Sequence, residues 1–447
     1  MRTIVVPKIN IHGLWDTPRE RNGEIYRLMR YTFLLKYKGK MLLHNVVTGQ
    51  LVELDIEEVR LLDTLPAPYS QLMDSLIESY FLVPNCAEEH RKVDGLRNLL
   101  RKLEDAKQKP GINSYTILPT TACNARCYYC FEKGIRQMTM NKQTADKLSE
   151  FICTHSGKEK KVYITWFGGE PTIAADRIDQ ICQRLERTGV QYQSKVISNG
   201  YLLDERMAQR AKDVWHTTWT QISVDGIENT YNRIKSYVNA DDNPYWKVIR
   251  NIGSLIDQGI HVDIRMNYNR DTYQEFEHLV EDIYERYHDN PLVSVRAHQI
   301  NSNTAQEEEW FSEQNEKLNE ISDRKGLFRK PIELPCLDYS WCDAARSDTI
   351  TVLPNGKFVR CPEMLEDDQT FGDAEQGIKN VELSQAWRKF AKLDRCKACV
   401  FFPACALIVG CPGSIRCVSK LEHIRRCKEA ICQYVDQEAD SSKPKEE

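Results

Sequence analysis

Six short segments between residues 114 and 300 decide what this chain can fold into. SYTILP, KVYITWF, QSKVIS, TWTQISV, HVDIRMN and LVSVRAH are rich in β-branched and aromatic residues, and each reads as a strand. Helical stretches separate them: NKQTADKLSEFICTH, RIDQICQRLERTG, ERMAQRAKDVW, YWKVIRNIGSLIDQG and TYQEFEHLVEDIYERY. Strands alternating with helices predict a parallel sheet, because a parallel neighbour is reached only through a crossover. Such a sheet is either doubly wound or curled toward a barrel. In both forms the chemistry gathers at the C-terminal ends of the strands.

The flanks read differently. Residues 31–55 alternate apolar and polar, with Gly39 and Gly49 at turns, as in a short antiparallel meander. DIEEVRLLDTL, capped by Asp55, then YSQLMDSLIESYFLV and HRKVDGLRNLLRKLEDAKQ follow as helices, which makes a small α+β unit. KQKPGINS is a polar linker, and EEEWFSEQNEKLNEISDRKG a polar bridging helix. Beyond that helix the periodicity fades and cysteines punctuate the chain. The expected domains are 1–110, 111–305, a bridge over 306–335, a cysteine-rich 336–435 and a disordered tail over 436–447.

Composition narrows the class. The chain has 447 residues, 41% hydrophobic and 28% charged, with a formal net charge of −4. No basic excess points to nucleic acid. No apolar run is long enough for a membrane span, and the one at the N-terminus is too short for a signal peptide. The expected location is cytoplasmic. Sixteen cysteines in that compartment favour metal over disulfides. Ten lie between Cys336 and Cys432, and three are Cys123, Cys127 and Cys130; Cys86, Cys153 and Cys182 stand alone and read as small buried hydrophobes.

The triplet sits in TTACNARCYYCFEKG, just after the first strand. Thiolates suit zinc or iron–sulfur centres, and a structural zinc closes with four ligands. Here the spacing is CxxxCxxC, and no cysteine or histidine follows until Cys153 and His155. Three cysteines can hold three irons of a 4Fe–4S cube and leave the fourth iron open to a ligand. Zinc stays open as the alternative.

CNARCYYC, with Tyr129 before the last cysteine, resembles the signature of the radical S-adenosylmethionine (SAM) superfamily. WFGGEP, VISNG and ISVDG, closing the second, third and fourth strands, resemble further segments of that family in the same order. The resemblance implies an α/β fold with a partial (β/α)6 TIM-type barrel. It also implies that the open iron chelates SAM, whose cleavage gives methionine and a 5′-deoxyadenosyl radical that abstracts a substrate hydrogen. By resemblance Tyr129, Gly168, Gly169, Glu170, Asn199 and Ser223 contact SAM, the glycines by letting backbone approach its ammonium. Asp225 shapes the strand end. Many relatives place an arginine twelve residues after that serine; here Lys235 stands there, with Arg233 two residues earlier, and lysine lacks arginine's two-pronged grip. Arg265 and Asn267, ending the fifth strand, point to the same mouth.

The C-terminal cysteines resemble a SPASM domain, which carries two auxiliary 4Fe–4S clusters and so brings the total to three. Cys336, Cys342, Cys361 and Cys411 would hold the first; Cys396, Cys399, Cys405 and Cys427 the second, with Cys417 and Cys432 as spares. One departure is that five residues, not three, separate Cys405 from Cys411. A pair of zinc ribbons is the plain alternative.

SPASM domains point to protein or peptide substrates. Anaerobic sulfatase-maturing relatives carry an aspartate directly after the cysteine matching Cys361, whereas this chain has Pro362 and then Glu363. Residues 30–108 resemble the winged-helix-like recognition element of enzymes that modify ribosomally made peptides, which takes the leader as an added strand; the plainer reading is a prelude packed on the barrel. The expectation is therefore a peptide maturase that forms a thioether or carbon-centred crosslink. Its partners would be the precursor peptide and a flavodoxin or ferredoxin donor, with Glu363 as a proton acceptor. Sulfatase maturation is the alternative, and a zinc-stabilised peptide-binding scaffold the non-enzyme reading. RNA modification would call for a basic domain that the chain does not show.

Overall fold

A computed structural model describes residues 1–13, 15, 21–107, 111–240, 243–288, 290–300, 305–328, 333–338, 342–389, 396, 398–405, 411 and 419–441. The chain divides into two compact units. One comprises Met1–Lys107, Pro331–Trp341 and Lys389–Glu447; the other Gln108–Lys330 and Cys342–Arg388.

In the second unit the six expected strands are Ser114–Thr120, Lys161–Gly168, Gln191–Ser198, Thr217–Ser223, His261–Tyr268 and Val293–Gln299. They pair in parallel and in chain order. A doubly wound sheet needs a reversal of strand order at its switch point; this order never reverses, so the winding is that of a partial barrel. Lys161–Gly168 shows how the sequence sets the layers: Val162, Ile164 and Trp166 are buried on the core face while Lys161 and Tyr163 are exposed. Helices Lys142–His155, Ala175–Arg187, Glu205–Asp213, Pro244–Asp257 and Glu275–Tyr287 follow the strands as read from sequence. Side chains of Asn141, Asp204 and Asn243 cap three of them. A further helix, Glu228–Lys235, lies after the fourth strand where no helix was anticipated.

The expected boundary at 336 does not hold. Thr349–Val352 joins the barrel sheet as a parallel neighbour of Ser114–Thr120, and Lys357–Val359, Gly372–Asp373 and Gly377–Ile378 extend it antiparallel. The turn at Pro354-Asn355-Gly356 is the hairpin foreseen. Gly356 takes a φ of 81°, a region open to glycine at little cost.

The first unit holds the antiparallel meander Thr32–Tyr37, Lys40–Asn45 and Leu51–Leu54, with Arg2–Val5 added on its last strand. Asp55 caps Ile56–Leu62 through a full capping box with Glu58. The stretch read as one helix over YSQLMDSLIESYFLV breaks up. It gives a helical turn at Gln71–Met73, a short helix Asp74–Glu78, and then a strand, Leu82–Pro84, paired with Ile25–Leu28. Its apolar end, Phe81-Leu82-Val83, is buried as a strand there. Glu89–Lys107 is the long third helix. A single core joins Leu42, Leu51, Val93 and Leu96 to Phe401, Phe402, Cys427 and Ile431. The tail expected to be disordered from 436 instead continues the helix Ser419–Ser441, where Asp436 accepts from Tyr37 Oη at 3.1 Å and Lys38 Nζ at 2.8 Å. Residues 442–447 lie outside the described residues.

Leu148 is fully buried on the helix Lys142–His155. Leu148→Ala should cost about 2–5 kcal/mol in denaturant unfolding, the range for a core leucine whose cavity closes only partly. Leu103→Ala, at an exposed site, should cost far less.

Candidate functional site

The loop bearing Cys123, Cys127 and Cys130 leaves the C-terminal end of the first barrel strand, where the fold places its chemistry. Its base is stitched shut. Thr120 Oγ1 donates to Met138 O at 2.8 Å, Thr121 Oγ1 to Arg136 O at 2.9 Å, and the Thr121 amide to Met138 O at 2.9 Å. The Cys130 amide meets Cys127 O at 3.3 Å, so the loop coils between its last two cysteines. Burial pushes the Cys123 thiol up to about 11, and raises Cys127 and Cys130 as well.

Gly168 and Gly169 seat the second strand against this loop. A Cβ at Gly168 would lie 2.3 Å from Thr120 O, and one at Gly169 2.4 Å from Ala122 O. The close approach that demands glycine is thus between two stretches of this chain. Glu170 is fully buried, and its carboxylate accepts from Thr172 N and Oγ1, Ser198 Oγ and Asn199 N at 2.5–3.2 Å. It braces the ends of the second and third strands and is well supplied with donors from the chain itself. Asn199 in turn donates to Asn124 Oδ1 at 2.7 Å, inside the cysteine loop.

Asp225 does more than shape a strand end. It is wholly buried, and its Oδ2 lies 2.7 Å from Lys235 Nζ and 2.5 Å from Tyr129 Oη. Its Oδ1 accepts from the Asn267 amide at 3.1 Å and from Asn267 Nδ2 at 2.9 Å. Lys235, 1% exposed, also donates to Ser223 Oγ at 2.7 Å. Burial opposes the charge on Lys235, but Asp225, with Tyr129 and Cys127, outweighs it and holds the ammonium well above the ordinary lysine range. The helix end carrying Lys235 is itself tied to the cysteine loop, through Arg126 N to Lys235 O at 2.8 Å and Val238 N to Asn124 O at 2.8 Å. Tyr129, Ser223, Asp225, Lys235 and Asn267 are therefore one network. Arg233, two residues from Lys235, is exposed instead. Arg265 reaches Asn267 Oδ1 at 2.9 Å and His298 Nδ1 at 2.8 Å; burial, with Arg265 beside it, pulls His298 down to about 4.

His298 and Glu132 escaped the sequence reading. Glu132, two residues after Cys130, is 8% exposed, and neither carboxylate oxygen has a hydrogen-bond partner among the described residues. In the same loop Asn124 Nδ2 is buried with no partner among the described residues. Nothing in CFEKG distinguishes this glutamate from a solvated one; only the fold buries it.

The remaining cysteines fall in two places. Cys342 and Cys361 belong to the barrel unit, and Cys336 and Cys411 to the other. In that other unit Cys396 and Cys427 are buried in one core, with Cys399 packed against it. Successive turns carry the chain through this stretch, Cys399 N to Cys396 O, Phe402 N to Cys399 O and Cys405 N to Phe402 O, each at 3.2 Å. Cys432 is only half-buried, and it interacts with Tyr37, Lys38 and Asp436. Cys417 lies outside the described residues. Cys182 is buried and Cys153 half-buried, but Cys86 is exposed, contrary to its reading as core. Glu363 is exposed. Among the described residues no group of three or more His, Cys, Asp or Glu converges on a position for a single metal ion; a cube takes one thiolate per iron.

The curled parallel sheet thus carries three thiols on its first loop, beside buried polar groups that have no partner among the described residues. Residues 117–283 match the family model of the radical SAM superfamily. Those residues form a radical SAM domain, and the chain is an enzyme. Among solved structures, native anSMEcpe with bound AdoMet is similar at 15% identity and a TM-score of 0.56, over 74% of this chain and 100% of that one. Native anSMEcpe with bound AdoMet and Cp18Cys peptide gives 15% and 0.54, over 74% and 98%. Streptococcus suis SuiB bound to S-adenosylmethionine gives 15% and 0.50, over 85% and 94%. At such identities the likeness speaks for the fold. The search of curated proteins found no match. Among the described residues no helix is long and apolar enough to cross a membrane.

Lys235→Met would leave Asp225 buried without its cation. Denaturant unfolding should show a loss of roughly 3–5 kcal/mol, the cost of breaking a buried pair from one side. Arg233→Met, at an exposed position, should change stability by less than about 0.5 kcal/mol.

Proposed function

We propose that this enzyme matures a ribosomally made precursor peptide by forming a crosslink within it. The observation that carries the reading is the first unit. A small antiparallel sheet, followed by a helix capped by Asp55, precedes the barrel in the chain and shares its core with the C-terminal cysteine segment. The sheet's edge strands, Arg2–Val5 and Thr32–Tyr37, offer backbone to which an extended leader would add. Two of the similar structures hold peptides, anSMEcpe with Cp18Cys peptide and SuiB with precursor peptide SuiA.

Cys123, Cys127 and Cys130 would hold the cluster that carries SAM. Bound there, cluster and SAM supply a 5′-deoxyadenosyl radical, chemistry that belongs to the cofactor. The chain's part is to hold the loop and exclude water, which the Asp225 network and the Gly168–Gly169 junction do. Forming the crosslink removes two hydrogens from the peptide. Cluster and SAM would take one as a hydrogen atom; the other would leave as a proton, and Cys396, Cys399, Cys405 and Cys427 would hold a cluster able to accept its electron. A flavodoxin or ferredoxin would supply the electron that starts each cycle. Lys235 and Ser223 meet in the place expected to receive the SAM carboxylate, and Asp225 balances Lys235 there. Sulfatase maturation is disfavoured by Pro362 after Cys361 and by the exposure of Glu363.

For the second auxiliary cluster, burial with Cys396 favours Cys427 as fourth ligand over Cys432. Iron counted on anaerobically purified protein should fall from about twelve to about eight per chain in Cys427→Ala, one cube's worth, and stay unchanged in Cys432→Ala. The substrate reading is tested by incubating the enzyme with SAM, a reductant and short peptides encoded beside it. A product lighter by two hydrogen atoms that does not react with a hydrazine carbonyl probe supports crosslinking. Conversion of a single cysteine or serine to an aldehyde would support the sulfatase-type reaction instead.

A further inference from the structure

The helix Glu89–Lys107 buries a guanidinium that hydrogen-bonds to a distant part of the chain. Arg97 is 1% exposed. Its Nη2 donates to Pro403 O at 2.6 Å, to Cys405 O at 2.7 Å and, closer still, to Phe402 O. Its Nε donates to Asp338 O at 3.1 Å, and its Cζ stands 4.6 Å over the Phe402 ring. Two helical turns earlier on the same face, His90 stacks on the same ring, centroids 4.3 Å apart.

Those acceptors are not arbitrary. Phe402, Pro403 and Cys405 form the turn that ends in a cysteine of the second auxiliary set, and Asp338 follows Cys336 by two residues. One side chain thus fastens two cysteine-bearing segments, all within one compact unit. Carbonyl oxygens satisfy a guanidinium's donors without cancelling its charge. A thiolate-ligated cube is anionic, and net charge and hydrogen bonding at such a cube set its potential. Arginine suits both tasks, because its planar fork reaches several acceptors at once and it stays charged when buried.

We propose that Arg97 positions the Cys405 turn and supplies the counter-charge for the second auxiliary cluster, making that cluster easier to reduce. The inference rests on the reading of Cys396, Cys399, Cys405 and Cys427 as its ligands. It places a redox-tuning residue on a helix of the unit proposed to recognise the leader.

The test is an EPR-monitored redox titration with iron counting on the full chain, comparing wild type, Arg97→Lys and Arg97→Gln. The expected result is that Arg97→Gln either moves one cluster to more negative potential or loses about four irons, one cube. Arg97→Lys, which keeps the charge, should keep its irons and stay nearer the wild-type potential. Wild-type potentials and full iron in Arg97→Gln would overturn the proposal. So would equal loss in both variants, which would leave Arg97 as a clamp on the turn. A wild-type chain holding only about four irons would defeat the ligand assignment itself, before any variant is compared.

Discussion

The carboxylate of Asp225 is the point on which the mouth of the barrel depends. It meets Tyr129 from the cysteine loop, Lys235 from the end of a helix and Asn267 from the fifth strand. Three separate pieces of chain therefore take their positions from one buried group. A buried ion pair is a weak source of net stability, since desolvation offsets most of the attraction. What it does supply here is register. With Asp225 satisfied, the cysteine loop, the helix end and the fifth strand have one arrangement in which Tyr129, Lys235 and Asn267 all reach it. The Gly168–Gly169 junction works alongside it by sterics, because any side chain there would strike the backbone of the loop.

This arrangement changes the meaning of several residues. Glycine and glutamate of the GGEP segment, expected to face the cofactor, also meet the chain's own carbonyls, amides and hydroxyls, which fix the strand ends against the cysteine loop. Lys235 stands where an arginine was expected, and a compact ammonium fits between Asp225 and Ser223, each 2.7 Å away. The difference from arginine is one of geometry: three donors around a point in place of a planar fork.

Much of the barrel was legible in the sequence because its information is local. Period-two alternation marks Lys161–Gly168, and cap residues mark the starts of Lys142–His155, Glu205–Asp213 and Pro244–Asp257. The cysteine triplet announces itself by spacing. What stayed hidden depends on distant partners. Thr349–Val352 is four residues long, and only pairing with Ser114–Thr120 makes it part of the barrel sheet. Leu82–Pro84 looked like the end of a helix until Ile25–Leu28 supplied a neighbour. Glu132 and His298 carry no local mark at all, since burial alone gives them their character. The union of the N-terminal sheet with the C-terminal cysteine segment spans most of the chain, and no short-range pattern encodes it.

The central claim is that Cys123, Cys127 and Cys130 hold a cluster with an iron open to SAM. The most direct measurement is the EPR spectrum of the anaerobically reduced protein with and without SAM, recorded for wild type and for the variant with all three cysteines replaced by alanine. The account predicts that SAM alters one cluster signal in the wild type, that deoxyadenosine and methionine form, and that both effects vanish in the variant. Protein that carries zinc, shows no cluster signal and leaves SAM intact would contradict it.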